Sequence, residues 1–510
     1  MSVLLVTVQR DLDVLGIKYL HQYLLDRGEA SRLLFMPELR RRREDVLRGA
    51  AAFARAWKPD LVAVSLMSLE YADATDATRA LRDALPGVPV VWGGIHATSD
   101  PTSCLTGNRA DFVCVGEGER TMLDLARAAR SGRDFRSIPN LGWVEDGRYT
   151  QNPVYPLIRD LDELPLLRRI APESYLALPE GVRPLEEKLF RRWARHAGKN
   201  YITIASRGCP YGCAYCCNNR YRKLYEDWNV RRRSVDHIIR ELEQALADFP
   251  GVEYVNFHDD CFLACPIEYL REFCGEYKKR VNRPLIAKST PTYVTEERLT
   301  LLKDAGLSWI SLGLQSGSER VCQEVYNRRS LPKHFLEAAR MIHRFGIAPF
   351  YDVILDNPFE SEAEQLETVR TLIETPKPYY PEIFSLVFYE GTALRERAEK
   401  ECPEVIEDPT EKDYRIRHRR LVNDLVETAT TLPAFLMRPL LRRYERYPDS
   451  LLTRFLVFAA KWSTRVFFTP LTYLRVIRVS QRGSWIRTFR VLPNYFKVGF
   501  TYYLHLFRAR

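Results

Sequence analysis

Strand-like and helix-like segments alternate along this chain in two separate runs, and that alternation restricts the fold more than any other feature. In the first run, residues 3–8, 61–65, 88–92 and 111–115 are short apolar stretches. Segments with helical spacing of apolar residues, such as 16–27, separate them. Strands alternating with helices predict a parallel sheet wound on both faces, with ligands beyond the carboxyl ends of its strands. Residues 1–150 are expected to form this first α/β domain.

The second run has strand candidates at 201–205, 254–257, 285–288, 309–313, 350–354 and 383–388, with helical segments such as 235–247 and 333–344 between them. Six β/α units over residues 199–400 predict an incomplete barrel with its chemistry at the carboxyl ends of the strands. Residues 151–198, rich in proline and charge, read as a linker packed along the surface. Residues 401–510 read as a helical, basic C-terminal region.

The first strand of the second run delivers Arg207-Gly-Cys-Pro-Tyr-Gly-Cys-Ala-Tyr-Cys216. Cys209, Cys213 and Cys216 place three thiolates on one tight loop, with no fourth Cys or His in the pattern. A 4Fe–4S cluster has four irons, so three cysteines leave one iron open to an outside ligand. A structural zinc site would want a fourth ligand, and the only other close pair, Cys261 and Cys265, lies in a different segment. Eleven cysteines in 510 residues are too few for a disulfide framework. Cys217 reads as an unligated neighbour.

At these residues the chain resembles the radical S-adenosylmethionine (SAM) enzymes, and Tyr215 fits that family's C-x-aromatic-C ending, which implicates it in SAM binding. The resemblance implies that the open iron takes the amino and carboxylate groups of SAM, which an electron splits into methionine and a 5′-deoxyadenosyl radical. Later signatures follow in order. Phe257-His-Asp-Asp-Cys-Phe262 resembles the family's second-strand segment, implicating Asp259 and Asp260 in SAM binding. Gly313-Leu-Gln-Ser-Gly317 resembles the fourth-strand segment, implicating Gln315, in place of the usual Glu, and Ser316. Asp352-Val-Ile-Leu-Asp-Asn-Pro358, with Glu360 beyond, resembles the fifth-strand stretch, implicating Asp352 in SAM binding, and Phe388-Tyr-Glu-Gly-Thr392 resembles the sixth-strand ending. Taken singly, an Asp pair after a strand or a Ser-Gly-Ser before a helix is an ordinary cap or turn. Their order behind the cysteine loop is what joins them.

Gly93-Gly-Ile-His-Ala-Thr98 and Gly116-Glu-Gly-Glu119 each follow a strand of the first run. Glycines there let the backbone approach a bulky flat ligand. Ahead of such a barrel, the arrangement resembles the cobalamin-binding domain of the cobalamin-dependent radical SAM class. The alternative is a plain flavodoxin-like domain whose glycines only turn the chain. The resemblance implicates Asp13, Gly16, Ser65, Gly93, Gly94, His96, Gly116 and Glu117 in cobalamin binding. Such domains often carry Asp-x-His-x-x-Gly after the first strand. This chain reads Asp11-Leu-Asp-Val-Leu-Gly16, with Asp13 where the His would be, so no histidine is expected under the cobalt. His96 is expected in the loop beside the corrin tail, the alternative being a loop histidine bonded to backbone.

The basic character belongs to one segment. Residues 431–510 hold 15 Lys and Arg against 2 Asp and Glu, which exceeds the +10 net charge of the whole chain. The same segment holds 17 Phe, Tyr and Trp, and its longest uncharged stretch around residues 451–479 is nine residues, 466–474. That is far short of the ~20 needed to span a bilayer. A helix would put Arg454, Lys461 and Arg465 on one side, with Leu452, Phe455, Phe458, Ala459 and Trp462 on another. Two readings stand: an interfacial helix on an anionic membrane, or a basic cap whose aromatics fill the barrel core. No RNA-binding module is recognisable, which disfavours nucleic acid. With no leader before the first strand and few cysteines, the expected compartment is the cytoplasm, with the inner membrane face as a peripheral location.

The resulting expectation is an α/β protein: a doubly wound Rossmann-like (flavodoxin-like) cobalamin domain, a partial (β/α)6 TIM-type radical SAM barrel, and the basic helical region. The resemblance implies a 4Fe–4S cluster, SAM and cobalamin as cofactors, a flavodoxin or ferredoxin as reductant, and methylation of an unactivated carbon of a small-molecule or lipid substrate. The alternatives are a radical SAM cyclase or other radical oxidoreductase without methyl transfer, or cofactor-responsive binding without turnover.

Overall fold

The computed structural model describes residues 2–194, 198–489 and 491–492. Its first sheet is built on strands β1 (Ser2–Thr7), β2 (Ala30–Phe35), β3 (Leu61–Ser65), β4 (Val90–Gly93) and β5 (Phe112–Cys114). These run parallel in the order β2-β1-β3-β4-β5. Leu4, Val6, Val62 and Val64 pack one face against helices Arg43–Trp57 and Tyr71–Ala84. Val3, Leu5, Leu61 and Ala63 pack the other against Leu15–Asp26 and Glu119–Ser131. Successive side chains point to opposite faces, so a strand buried on both must be apolar throughout, as these are.

The sheet is larger than expected. Strands β6 (Leu141–Glu145) and β7 (Arg148–Gln151) add antiparallel at one edge. Residues 151–198 are not a surface linker. They supply β8 (Ser174–Leu178), parallel to β2, and β9 (Gly181–Pro184), completing nine strands. They also bury Ile158, Leu161, Leu164, Leu167 and Phe190 in the core of that face. The short strand lies in a proline- and charge-rich context, and its pairing with β2 is a long-range choice that no local pattern reports.

The second sheet has β10 (Asn200–Thr203), β13 (Tyr254–Phe257), β14 (Leu285–Ser289), β15 (Leu307–Gln315), β16 (Ala348–Leu355) and β17 (Tyr380–Ser385), all parallel and in chain order. A two-residue antiparallel ladder, β11 (Ser206–Arg207) with β12 (Arg231–Arg232), forms the base of the cysteine loop. Helices Val235–Asp248, Ile267–Arg280, Glu296–Ala305, Pro332–Arg344 and Glu362–Glu374 connect the strands in the manner of a partial barrel. The last strand ends at Ser385, so 386–388 run beyond the sheet.

Helices Leu421–Thr431, Ala434–Arg446, Leu451–Ser463 and Thr469–Ser480 follow. Val476 on the last of them packs against Tyr254, Trp309 and Ala348 at the amino ends of the barrel strands. Tyr473 stacks on Tyr380 at 4.5 Å, and Gln481 Nε2 donates to Tyr254 Oη at 2.6 Å. This helix therefore closes the end of the barrel opposite the carboxyl ends. Residue 490 and residues 493–510 of the basic segment lie outside the described residues.

Candidate functional site

The cysteine loop leaves β11 at Gly208 and re-enters regular structure in helix Cys217–Leu224. Gly208 has φ +96°, and a Cβ there would lie 2.6 Å from Asn229 O, so only glycine turns this corner. Side chains from elsewhere tie down the loop backbone. Arg222 donates to Cys209 O at 2.9 Å and Tyr211 O at 3.1 Å, and Asn327 donates to Gly212 O at 3.2 Å. Ala214 N donates to Tyr326 O and Ala214 O accepts from Leu394 N, both at 2.9 Å.

All three thiols are free and half-buried. Burial pushes Cys209 up to about 12 and raises Cys213, whereas a bond from the neighbouring Cys217 thiol holds Cys216 down. Thiols as reluctant to ionise as Cys209 and Cys213 become thiolate ligands beside a strong positive charge, which iron provides. Among the described residues, no three His, Cys, Asp or Glu side chains are placed to hold a single metal ion. A 4Fe–4S cluster asks for no such point, since each thiolate takes its own iron.

The loop stands on a buried polar hub. Glu241 Oε2 accepts from Arg233 at 2.7 Å and from Leu167 N at 2.9 Å. Its Oε1 accepts from Thr203 Oγ1 at 2.6 Å and Tyr201 Oη at 3.1 Å. Both charged side chains are 1% exposed. Arg233 also reaches Ile204 O at 3.1 Å and Tyr19 Oη of the first domain at 3.4 Å. The hub thus joins the strand that precedes the cysteines to segment 161–167 and to helix Leu15–Asp26.

At the strand ends, Asp259 is a structural carboxylate. Its oxygens accept from Ala205 N at 3.0 Å and from Ser206 Oγ, fastening the β10–β11 corner, and burial lifts it to about 6. Asp260 beside it opens to solvent. Ser316 Oγ donates to Glu360 Oε1 at 2.6 Å and accepts from Ser318 N at 3.1 Å, so it is engaged within the protein. Gln315 sits at φ +69° where the β15–β16 register slips, and its Oε1 is buried without a partner. On the adjacent strand, Asp352 Oδ1 is buried and equally unpartnered. Burial and the facing Glu382 of β17 push Asp352 well above the usual carboxylate range. Buried acceptors without donors are rare enough to need a reason. SAM offers an amine and two ribose hydroxyls, and these two acceptors fit them. Tyr215 Oη accepts from Arg328 at 3.1 Å, and Arg328 also donates to Gly313 O at 2.6 Å. Arg328 carries no motif signal; only its buried position between loop and strand marks it.

In the first domain the chain passes from β1 to β2 on one side and to β3 on the other. Their carboxyl ends form the crevice where such sheets bind ligands. Asp13 and Gly16 follow β1, with nothing within 4 Å of a Cβ built on Gly16, and Ser65 ends β3. Met67, just beyond Ser65, is 44% exposed and carries no motif signal.

The glycines do other work than expected. A Cβ on Gly116 (φ +90°) would lie 2.1 Å from Tyr225 Oη, and one on Gly94 (φ +94°) 2.7 Å from Leu66 O. The close approach they permit is that of the chain itself, because the helix after the cysteines is pressed onto the β5 loop. Gly93 meets only ordinary contact with Cys114. Glu117 is an inter-domain ion pair, 2.6 and 3.0 Å from Arg231 and 3.6 Å from Arg207, which hold it below its usual range despite burial. His96 is buried with Nδ1 3.0 Å from Ser68 Oγ and Nε2 3.2 Å from Ser103 Oγ. Both ring nitrogens are thus bonded to serine hydroxyls and not, as the alternative expected, to backbone.

Glu119 adds a 2.6 Å pair to Arg207, Tyr225 Oη accepts from Glu117 N at 2.8 Å, and Arg220 Nε donates to Thr98 O at 3.0 Å. Tyr221, Tyr225 and Trp228 stack with centroids 5.1–6.4 Å apart. The carboxyl ends of the first sheet and the cysteine-bearing helix thereby share one inter-domain face.

Comparisons with known proteins agree with this division. Residues 203–372 match the family model of the radical SAM superfamily, and residues 1–126 that of the B12 binding domain. The chain is similar to an uncharacterised methyltransferase of Pyrococcus horikoshii, 25% identical over 321 residues, which are 63% of this chain and 65% of that protein. It is likewise 25% identical over 348 residues to the anaerobic magnesium-protoporphyrin IX monomethyl ester cyclase of Rubrivivax gelatinosus, covering 65% of this chain and 56% of that one. These matches span between about half and two thirds of the relatives' own lengths. Among solved structures, the cobalamin-dependent SAM radical enzyme OxsB superposes with TM-score 0.67 at 16% identity, over 98% of this chain and 81% of its own. The radical SAM methyltransferase TsrM of Kitasatospora setae superposes with TM-score 0.64 at 18% identity, over 78% and 76%. At such identities the structures speak to fold.

Proposed function

We propose that this chain, which belongs to the cobalamin-binding radical SAM enzymes, methylates an unactivated carbon of an apolar, lipid-like substrate. When bound, the cluster and SAM supply a hydrogen-abstracting radical, and cobalamin supplies the methyl group. The chain's own residues have distinct parts. Cys209, Cys213 and Cys216 would hold the cluster. Gln315 and Asp352 accept hydrogen bonds from SAM. Residues 13–16 and 65–67 border the cobalamin crevice. The Glu117–Arg231 and Glu119–Arg207 pairs hold that crevice against the cysteine loop, and this juxtaposition is the observation that carries the reading. A closed face between two domains keeps water from a reactive radical. A small reductant such as flavodoxin or ferredoxin would supply the electron.

Cyclisation without methyl transfer is the second reading, favoured by the similarity to magnesium-protoporphyrin cyclases. The test is anaerobic reconstitution with iron, sulfide and hydroxocobalamin, then incubation with SAM, a reductant and a cellular lipid extract. Methyl transfer predicts retained corrin bands, 5′-deoxyadenosine and S-adenosylhomocysteine. Corrin and 5′-deoxyadenosine without S-adenosylhomocysteine would support cyclisation. A cluster without corrin would sink both cobalamin readings. Cys213→Ala should abolish 5′-deoxyadenosine in every case.

A further inference from the structure

Of the 17 large apolar side chains exposed on the described surface, 14 lie between Phe435 and Phe489. Leu451, Phe455, Phe458, Trp462 and Val466, spaced by four, three, four and four, form one stripe along a helical run and are 83, 63, 56, 45 and 52% exposed. At 1.5 Å per residue the stripe is about 22 Å long.

The opposite side of this helix is fixed to helix Leu421–Thr431. Thr453, Val457 and Thr464 are buried there. Lys461 pairs with Asp424, and Arg465 pairs with Glu427 at 2.8 and 3.1 Å. Two of the three basic residues expected on a solvent or lipid side therefore face the protein. The aromatics expected to fill the core under a capping helix face outward. The stripe cannot turn inward without breaking two ion pairs.

We infer that this face docks on an anionic lipid bilayer, lying in its interfacial region. Charge selects the occupant. Arg438, Arg442 and Arg446 are exposed on the preceding helix and Arg475 and Arg478 on the following one, and Glu445 and Asp449 are the only acids in residues 431–510. A second copy would bring the same basic surface. Residues 493–510 carry Lys497, Arg508 and Arg510 and no acid, so they would add like charge. A surface of anionic headgroups supplies the opposite charge, with an apolar layer beneath for Phe and Trp. No helix among the described residues is long and apolar enough to cross a membrane, so the helix lies on the surface. The inference deepens the apolar-substrate reading but stands without it, since a docked enzyme can act on a soluble substrate.

The test is co-sedimentation of the full-length holoenzyme with vesicles of phosphatidylglycerol and phosphatidylcholine, against vesicles of phosphatidylcholine alone. Binding is expected to the anionic vesicles, weakened by salt. The triple variant Phe455→Ser/Phe458→Ser/Trp462→Ser should lower it by about tenfold or more, with cluster and corrin absorption unchanged as evidence of folding. Four results would overturn the inference: no sedimentation with either vesicle, equal binding by the variant, a wild-type dimer that the variant converts to monomer, or binding only after residues 493–510 are removed. Failure of the enzymatic reading looks different, as a protein that binds vesicles but does not cleave SAM.

Discussion

Replacing Glu241 with Gln tests what holds the cysteine loop in place. The amide is isosteric, so packing is preserved and only charge and acceptor capacity change. Four donors converge on this carboxylate within 3.1 Å, and one is Arg233, itself 1% exposed. Removing one partner of a buried pair leaves an uncompensated guanidinium, at a cost of about 3–5 kcal/mol. For a unit of this size, about 2–4 °C accompanies each kcal/mol. Glu241→Gln should therefore lower the apparent thermal midpoint of the anaerobic protein by about 6–20 °C. Cluster occupancy after desalting should fall with it, because Tyr201 and Thr203 lie on the strand that feeds the loop. Adding Arg233→Met removes the stranded charge, and the double variant should recover more than half of the loss. A midpoint within about 2 °C of wild type for Glu241→Gln, or a double variant worse than the single, would refute the reasoning.

Gly116→Ala should cost about 2–4 kcal/mol, from positive φ together with the 2.1 Å approach of Tyr225 Oη. Tyr225→Phe should rescue part of it, as a double-mutant cycle on the thermal midpoint would record. Burial lifts Glu360 from the ordinary 4.5 to about 7. The unfolded chain thus releases this proton first, and the residue's contribution to stability falls as pH rises between those values by about 3 kcal/mol. Glu360→Gln should flatten that decline in a pH series of melting curves. In residues 1–150 the only histidines are His21 and His96. His21 has its nitrogens 2.8 Å from Ser31 Oγ and 2.7 Å from Pro172 O, and both nitrogens of His96 are also bonded. Labelling the protein with 15N-histidine should therefore leave the electron paramagnetic resonance spectrum of the cob(II)alamin-loaded protein unchanged; a changed superhyperfine pattern would place a histidine nitrogen on cobalt.

Local chemistry made much of this protein legible. Three thiols within eight residues are held near one another by the covalent chain, so their spacing already predicts a cluster loop. Alternating apolar strands and amphipathic helices report their own burial, which is why both β/α runs were readable. The segment 151–198 was not, because an edge strand inside a polar stretch is defined by its partner. Whether a conspicuous side chain is available was likewise not a local property. Asp259, Ser316, Glu117 and His96 all carry motif signals, and each is already bonded within the protein. Gln315 and Asp352 carry similar signals and keep a buried acceptor open. The contacts that decide this join residues far apart: 108 positions separate Glu117 from Tyr225, and 114 separate it from Arg231. Sequence determined which chemistry the chain can carry, since ligand type and periodicity are set by neighbours along it. The tertiary structure decided which groups remain free to perform it and which way the aromatic helix faces, since both depend on partners that only folding brings together.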